Sequence, residues 1–526
     1  MSSNTGKFVK GTLILSVAAL FAKVLSAFFR VPLTMLIGDV GMGYYGYGYP
    51  IYTLFTAIAI IGIPSTMAKL VAEKRILGKY QEAHLIFKHT MKLMIIVGIV
   101  MAALLGFGAP IMIDAFKWEQ PTVYSLWGLC LSPIFVCIMG VYRGYFQGMQ
   151  NMVPTAISQV LENLGRVVVG LSLAYMFMPN VGYAAGGASF GAVAGGLCGA
   201  AVLAILYIKH KPTIQAEIKT DKHQNTGVDF KSVSKVVLAI AIPISIGAAV
   251  NSVMTFMDSA LVTARLLEYG LTDLQATASF GQLTKVATFI NFPLTFGMAL
   301  VTGVVPAIAE AMAKKDKEEV QSKIELGSRF ALLISLPAAV GLAVLAAPIM
   351  NMIYPGAPEG ANILMVSALS IGFIMLGQAF TGILQGMGNV WIPVKGLVIA
   401  AVIKGILNFV LVASPLKATG AAVASIIGYT VFTAYNYIAI RKLTGFRFNV
   451  SLVIIKPIIA SAIMGICAWG AYEGLSLVLD STATLDNAIM TLGSVGVGAV
   501  VYAIVIFLIG GISKDDIKEI RSKKEK

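Results

Sequence analysis

Runs of about twenty mostly apolar residues follow one another along the whole chain, about fourteen of them, with mostly short connections between. That pattern leaves few choices of fold. A bilayer core about 30 Å thick takes roughly 20 residues of helix to cross. A segment inside it must satisfy its own backbone N–H and C=O groups, as a helix does. The expected fold is therefore all-α and polytopic. Its spans are expected near 9–36, 44–68, 86–110, 121–145, 154–178, 183–208, 233–263, 279–312, 327–352, 361–386, 391–413, 419–440, 452–478 and 484–511. Only 12% of the 526 residues are charged, against 57% hydrophobic, whereas soluble domains are about a quarter charged. A soluble enzyme of this length could not wet its surface, and the expectation is a transporter. Lys7 and Lys10 precede an apolar run that continues through Lys23 with no A-x-A cleavage pattern, so it reads as a retained first helix. Cys130, Cys137, Cys198 and Cys467 sit in apolar runs without metal-ligand spacing and read as small buried hydrophobes. No cofactor and no metal is expected.

The formal net charge of +14 would suggest nucleic acid in a soluble protein. Here its placement matters more. Basic residues gather in alternate connections: Lys69, Lys74, Arg75 and Lys79; Arg143; Lys209, Lys211, Lys219 and Lys222; Lys314, Lys315 and Lys317; Arg441, Lys442 and Arg447; and the tail from Lys514. The other connections hold Asp39, Asp114, Glu268, Asp273, Glu359, Asp480 and Asp486, with Lys117 and Lys417 as exceptions. By the positive-inside rule both termini face the cytoplasm, and no nucleic-acid partner is expected.

An internal repeat organises the chain. Tyr145-Phe-Gln-Gly-Met-Gln-Asn-Met-Val-Pro154 recurs as Ile383-Leu-Gln-Gly-Met-Gly-Asn-Val-Trp-Ile-Pro393, and Ala109-Pro-Ile-Met112 as Ala347-Pro-Ile-Met350. An even number of spans separates the copies, which makes the repeat parallel about an axis along the membrane normal. The expected organisation is a six-helix lobe at 1–208, a cytoplasmic linker at 209–232 and a second six-helix lobe at 233–442. Two further helices and a basic tail follow at 443–526.

Ionisable residues inside spans face a cavity or a partner, because burying them in lipid is costly. Ser16, Lys23 and Arg30 share one helix face at i, i+7, i+14, and Asn251, Asp258 and Arg265 repeat the spacing in the second half. Two readings stand. The stripes line a hydrated cavity, or Lys23 and Asp258 pair to hold the halves in register. Tyr45, Tyr49, Tyr52 and Thr56 form a second stripe, matched by Thr284, Thr288, Asn291 and Thr295 with Lys285 beside them. Tyr45 suits an interfacial belt or the cavity; Tyr52 suits the cavity. Glu162 and Arg166, at i, i+4, read as a local ion pair; Lys404 stands where the repeat puts Arg166, without the carboxylate. Glu310 and Arg329, near helix ends, are expected to be solvated. The cavity candidates are thus Lys23, Arg30, Arg265, Lys285, Tyr52 and Asn291, with Asp258 and Asp39 as candidate ion-coupling acids. Their cationic excess suits an anion with several oxygens, such as a diphosphate. The absence of G-x-x-x-x-G-K-[ST] argues against direct ATP drive.

Lys10-Gly-Thr-Leu-Ile-Leu15, Gly62-Ile-Pro-Ser-Thr-Met-Ala-Lys-Leu-Val71 and Arg143-Gly-Tyr-Phe-Gln-Gly-Met-Gln-Asn-Met-Val-Pro154, followed by Ser158-Gln-Val-Leu-Glu162 and Arg166, resemble the stage V sporulation protein B and polysaccharide transporter family. That family belongs to the multidrug/oligosaccharidyl-lipid/polysaccharide exporter superfamily, and the likeness covers essentially the whole chain. The resemblance implies fourteen helices in two lobes and an alternating-access cavity. Its implied cargo is an undecaprenyl-pyrophosphate-linked saccharide, foremost the peptidoglycan precursor lipid II. It also implies that Lys23 and Arg30, with Lys285, line the cavity, and that the last two helices hold the lipid tail. Membrane lipids, a coupling Na+ or H+, and cell-wall synthesis proteins are the further expected partners. A cation-coupled multidrug antiporter of the same superfamily is the alternative.

Overall fold

The computed structural model describes residues 2–221, 229–481 and 483–511, and the described residues contain no strand. Two compact units result, Met1–Thr284 and Lys285–Lys526. The division falls inside one long helix and not in the 209–232 connection.

The first unit begins with α1 (Ser2–Ala57), which passes through Gly38 at φ 63° and ψ −172°. Only glycine adopts that conformation cheaply. The two expected spans 9–36 and 44–68 therefore follow one another as two helical stretches of α1 broken at Gly38, and a π-helical turn (Ile58–Gly62) and α2 (Ile63–Ile76) come next. Next come α3 (Tyr80–Phe116), α4 (Thr122–Leu129), α5 (Ser132–Gly148), α6 (Val153–Met176) and α7 (Val181–Lys219). Two helices, α8 (Phe230–Ala248) and α9 (Val250–Glu268), divide the expected span 233–263, and α10 (Asp273–Lys314) carries the chain into the second unit.

Glycines every fourth residue set the helix packing. Gly187, Gly191, Gly195 and Gly199 form one stripe of α7 against α6; a Cβ at Gly191 would lie 2.7 Å from the Arg166 carbonyl, and one at Gly195 would overlap that of Glu162. Backbones this close are the usual means of tight packing between membrane helices. On α5, Gly140, Gly144 and Gly148 seat in the same way on Ala59, on Pro64 and Met67, and on Val71. One stripe thus sets α7 against α6, and the other sets α5 against the π-helical turn and α2.

The second unit holds α11 (Lys317–Val344), α12 (Ala346–Ile353), α13 (Ala361–Ala368), α14 (Ser370–Gly386), α15 (Trp391–Leu411) and α16 (Lys417–Thr444). It ends with a π-helical turn (Ser451–Ile455), α17 (Lys456–Ser476) and α18 (Thr484–Leu508). Asp316 caps α11, accepting from the Glu318 and Glu319 amides at 3.0 and 2.9 Å. The last two helices are tied to α11 and α12. Tyr502 donates to the Leu333 carbonyl at 2.8 Å, and Asn487 to that of Pro348 at 3.1 Å. Arg329 corrects the expectation of a solvated cation: it is 9% exposed and donates twice to the Gly511 carbonyl, at 3.1 and 2.6 Å. With Lys456, 3.1 Å from the Gly510 carbonyl, it caps the end of α18, where carbonyls lack helical partners. Glu310 is exposed and pairs with Lys314.

Ten helices among the described residues are long and apolar enough to cross a membrane. The expected fourteen are not all among them. One outside the ten is α6, which carries Gln159, Glu162, Asn163 and Arg166.

Candidate functional site

The polar side of α6 gathers charge in the first unit. Glu162 accepts from Arg143 on α5 at 2.8 Å and from Arg166 at 3.4 Å. The expected local pair with Arg166 is thus the looser of two contacts. Arg143, read from sequence as a residue of a cytoplasmic connection, lies on α5 with its side chain 12% exposed. Its Nε also donates to Ser158 at 2.9 Å, so its position is held from two sides. Arg166 is held less firmly. Its Nη1 lies 3.4 Å from the Tyr49 hydroxyl, and its buried Nε has no hydrogen-bond partner. Near it, the Oε1 of Gln159 is also buried without one.

The tyrosine stripe of α1 completes the group. Tyr49 stacks on Tyr45 and is tilted against Tyr52, with ring centroids 5.7 and 5.8 Å apart. Tyr45 and Tyr52 are buried, so Tyr45 is not an interfacial belt residue. The Arg30 guanidinium lies 5.5 Å from the Tyr49 ring centroid, within cation–π range. The Tyr52 hydroxyl accepts from Ser132 at 3.1 Å, and Ser26 donates to Asn163 at 3.0 Å. Arg143 and Arg166 thus share one carboxylate, Glu162, and Tyr49 lies against both Arg166 and Arg30. The side chains of Ser16, Lys23 and Asn251 lie outside the described residues.

The other candidates of this unit stand elsewhere. Arg265 is ion-paired with Glu268, and Asp258 is half-buried on α9. Beside Asp258, the Ser259 carbonyl accepts from the Trp118 indole at 2.7 Å. Tyr47 is stacked between Trp118 and Phe280, at 5.0 and 4.4 Å, and hydrogen-bonds Thr263 at 2.7 Å. Asp39 follows the Gly38 kink, and its carbonyl packs on Gly281, where a Cβ would collide. These contacts join α1, α9 and the start of α10.

In the second unit Lys285 is fully buried; its ammonium donates to the Ala357 carbonyl at 2.8 Å and lies 5.2 Å from the Tyr354 ring centroid. Asn291 is exposed. Lys404 is 1% exposed on α15, with Asn408 one turn further and equally enclosed.

Sequence reasoning missed Arg143 and Arg166 as members of one group with Arg30. A signal was present. The fourfold glycine spacings on α5 and α7 indicate which faces approach a neighbour; Arg143 lies on α5, and Glu162 on α6, the helix that the α7 stripe packs against. No group of three or more potential metal-ligating residues occurs among the described residues.

Comparisons with known proteins agree with this architecture. Residues 8–271 match the polysaccharide biosynthesis protein family, and residues 243–410 match the MatE family. The chain is 28% identical to stage V sporulation protein B of Bacillus subtilis (strain 168), covering 98% of this chain and 97% of that one. It is 27% identical to lipid II flippase MurJ of the same organism, covering 97% of each. Among solved structures, an inward closed conformation of lipid II flippase MurJ superposes with a TM-score of 0.69 at 15% identity, covering 94% of this chain and 98% of that one. An inward-facing multidrug resistance MATE family transporter gives 0.66 at 14% identity, covering 80% and 94%. The kinked α1, the glycine-locked α5–α7 layer and the match over residues 8–271 lead to one conclusion: this chain is a polytopic membrane protein of the polysaccharide biosynthesis protein family, within the MOP exporter superfamily.

Proposed function

We propose that the protein is a flippase that carries a lipid-linked saccharide across the cytoplasmic membrane by alternating access, with undecaprenyl-diphosphate-linked lipid II as the cargo. The observation that carries this reading is the sharing of one carboxylate, Glu162, by two enclosed arginines, Arg143 and Arg166, with Arg30 against the same Tyr49 that Arg166 meets. A buried cationic excess is costly unless an anion neutralises it. Guanidinium groups suit a diphosphate because their planar forks pair with its oxygens in bidentate fashion. The name of one full-length relative, lipid II flippase MurJ of Bacillus subtilis (strain 168), supports the same cargo.

In this reading the diphosphate meets Arg166 and Arg30 while the polyprenyl tail stays in lipid. Tyr52 belongs to the same α1 stripe as Tyr49, and Lys23, Arg265, Lys285 and Asn291 are further candidates to be tested by substitution. Both termini face the cytoplasm, and fourteen spans form two six-helix lobes plus α17 and α18. Drive comes from the membrane potential, worth about 2.3 kcal/mol per charge per 100 mV, or from Na+ or H+ at Asp258 or Asp39. Translocation of lipid II in proteoliposomes tests the assignment. Arg30→Ala and Arg166→Ala are expected to slow it at least about ten-fold, or 1.4 kcal/mol of barrier. If these variants, together with Lys23→Ala and Arg265→Ala, all transport at the wild-type rate, the assignment is wrong. The second reading, a cation-coupled multidrug antiporter, draws on the MatE match at 243–410. It calls for a buried acid open to a cationic drug, and Glu162 is already held by two arginines.

A further inference from the structure

The arginines of the first unit are not equally committed. Arg143 is anchored twice, to Glu162 at 2.8 Å and to Ser158 at 2.9 Å. Arg166 makes only long contacts, 3.4 Å to Glu162 and 3.4 Å to Tyr49, and its Nε is buried without a partner. Glu162 cannot drift to suit them. Its backbone is pinned by Gly195, and its Cβ faces Gly199, where an added Cβ would stand 3.4 Å away. One carboxylate fixed between a tightly held and a loosely held arginine is an arrangement with an exchangeable side.

The geometry points to Glu162 as a built-in stand-in for the anionic ligand: it neutralises Arg166 while the site is empty and yields it to the diphosphate when substrate arrives. This rests on the reading of the α1–α5–α6 group as the anion site. The physical reason is competition. A diphosphate beside Arg166 would face the Glu162 carboxylate at close range, and like charges in a poorly screened interior repel strongly. Arg143 can retain Glu162 by its shorter contact, which leaves the Arg166 fork to close on phosphate oxygens. The carboxylate therefore weakens substrate binding and speeds its release, making Glu162 a positioning residue that sets affinity against turnover. Ser158, Tyr49 and Tyr52 are the neutral groups around it, and Arg143 and Arg166 the charged ones.

Binding of inorganic pyrophosphate, and separately of farnesyl diphosphate, to the purified full-length protein in detergent tests this. Glu162→Gln keeps the acceptor for Arg143 and removes the charge, and is expected to bind about ten-fold tighter. Tightening of both probes marks the diphosphate itself as the ligand; tightening of farnesyl diphosphate alone marks a lipid-borne one. In lipid II translocation the same variant is expected to lower KM and kcat together, a split that loss of fold would not produce. Should Glu162→Gln not fold, Glu162→Asp carries the test. Its carboxylate is one methylene shorter and withdraws from Arg166, and it is expected to tighten binding about three-fold. If the wild type binds pyrophosphate and Arg166→Ala abolishes this, but neither Glu162 variant binds tighter, the stand-in role is overturned and the site survives. If the wild type binds neither probe and Arg166→Ala transports normally, the site itself is overturned, and this inference with it.

Discussion

The helix pair α6–α7 in the first unit and the pair α15–α16 in the second occupy matching places in the repeat, yet the residues at the matching polar positions differ in charge. The packing logic is shared. The stripe Gly187, Gly191, Gly195 and Gly199 on α7 corresponds to Gly420, Ala424, Gly428 and Phe432 on α16. Gly195 faces the Glu162 carbonyl and Gly428 faces Lys404 and Ala400. The chemistry differs. Thr381 stands for Arg143, Ala400 or Ala401 for Glu162, and Lys404 for Arg166. Duplication preserved the contacts that close helices on each other and left the enclosed polar positions open to change. The lesson is that backbone proximity, not side-chain charge, defines the scaffold, while the charged positions are free to differ between the copies.

The sharpest way to break this comparison is at the stripes. Gly195→Val would drive a branched side chain into the Glu162 backbone, which no rotamer relieves. A loss of about 3 kcal/mol or more is expected, read as a lower unfolding midpoint in detergent. By contrast Gly428→Ala would set its Cβ 3.1 Å from Lys404 Cβ and 3.5 Å from the Ala400 carbonyl. That costs about 1 kcal/mol, and equal losses at the two sites would refute the stated asymmetry.

Charge gives the next largest contrast. Arg143→Ala leaves Glu162 with its looser partner. Since breaking one side of a buried ion pair costs about 3 kcal/mol, its midpoint should fall well below that of Thr381→Ala, where no ion pair is involved. Lys404→Met removes the enclosed charge on α15 and should still unfold cooperatively in detergent. It should also leave pyrophosphate binding unchanged, whereas Arg166→Met should abolish it; parallel loss in both would place the ligand in the second unit as well. The smallest effect is expected at Thr263→Val, which removes the hydrogen bond to Tyr47 for about 1 kcal/mol. The stacking of Tyr47 between Trp118 and Phe280 remains in that variant.

Much of this was legible without coordinates. Apolar run length determined an all-helical membrane fold because lipid offers the backbone no other partner. The fourfold glycines and the repeated Gln-Gly-Met block were equally visible, and Arg30 with the Tyr45–Tyr49–Tyr52 stripe could be placed on helix faces by spacing alone. Spacing stops at one helix, however. It paired Glu162 with Arg166 because they are four residues apart, and gave no hint that Arg143, nineteen residues earlier, holds the same carboxylate more closely. It placed Arg329 in water, although residue 511 supplies a carbonyl for it. It could not show that the break between the first two spans is confined to Gly38. Sequence by itself determined what must be helix and which faces are polar, since those follow from local periodicity and the solvent. Only the tertiary structure decided which cation meets which anion, because that depends on how closely glycine lets two backbones approach.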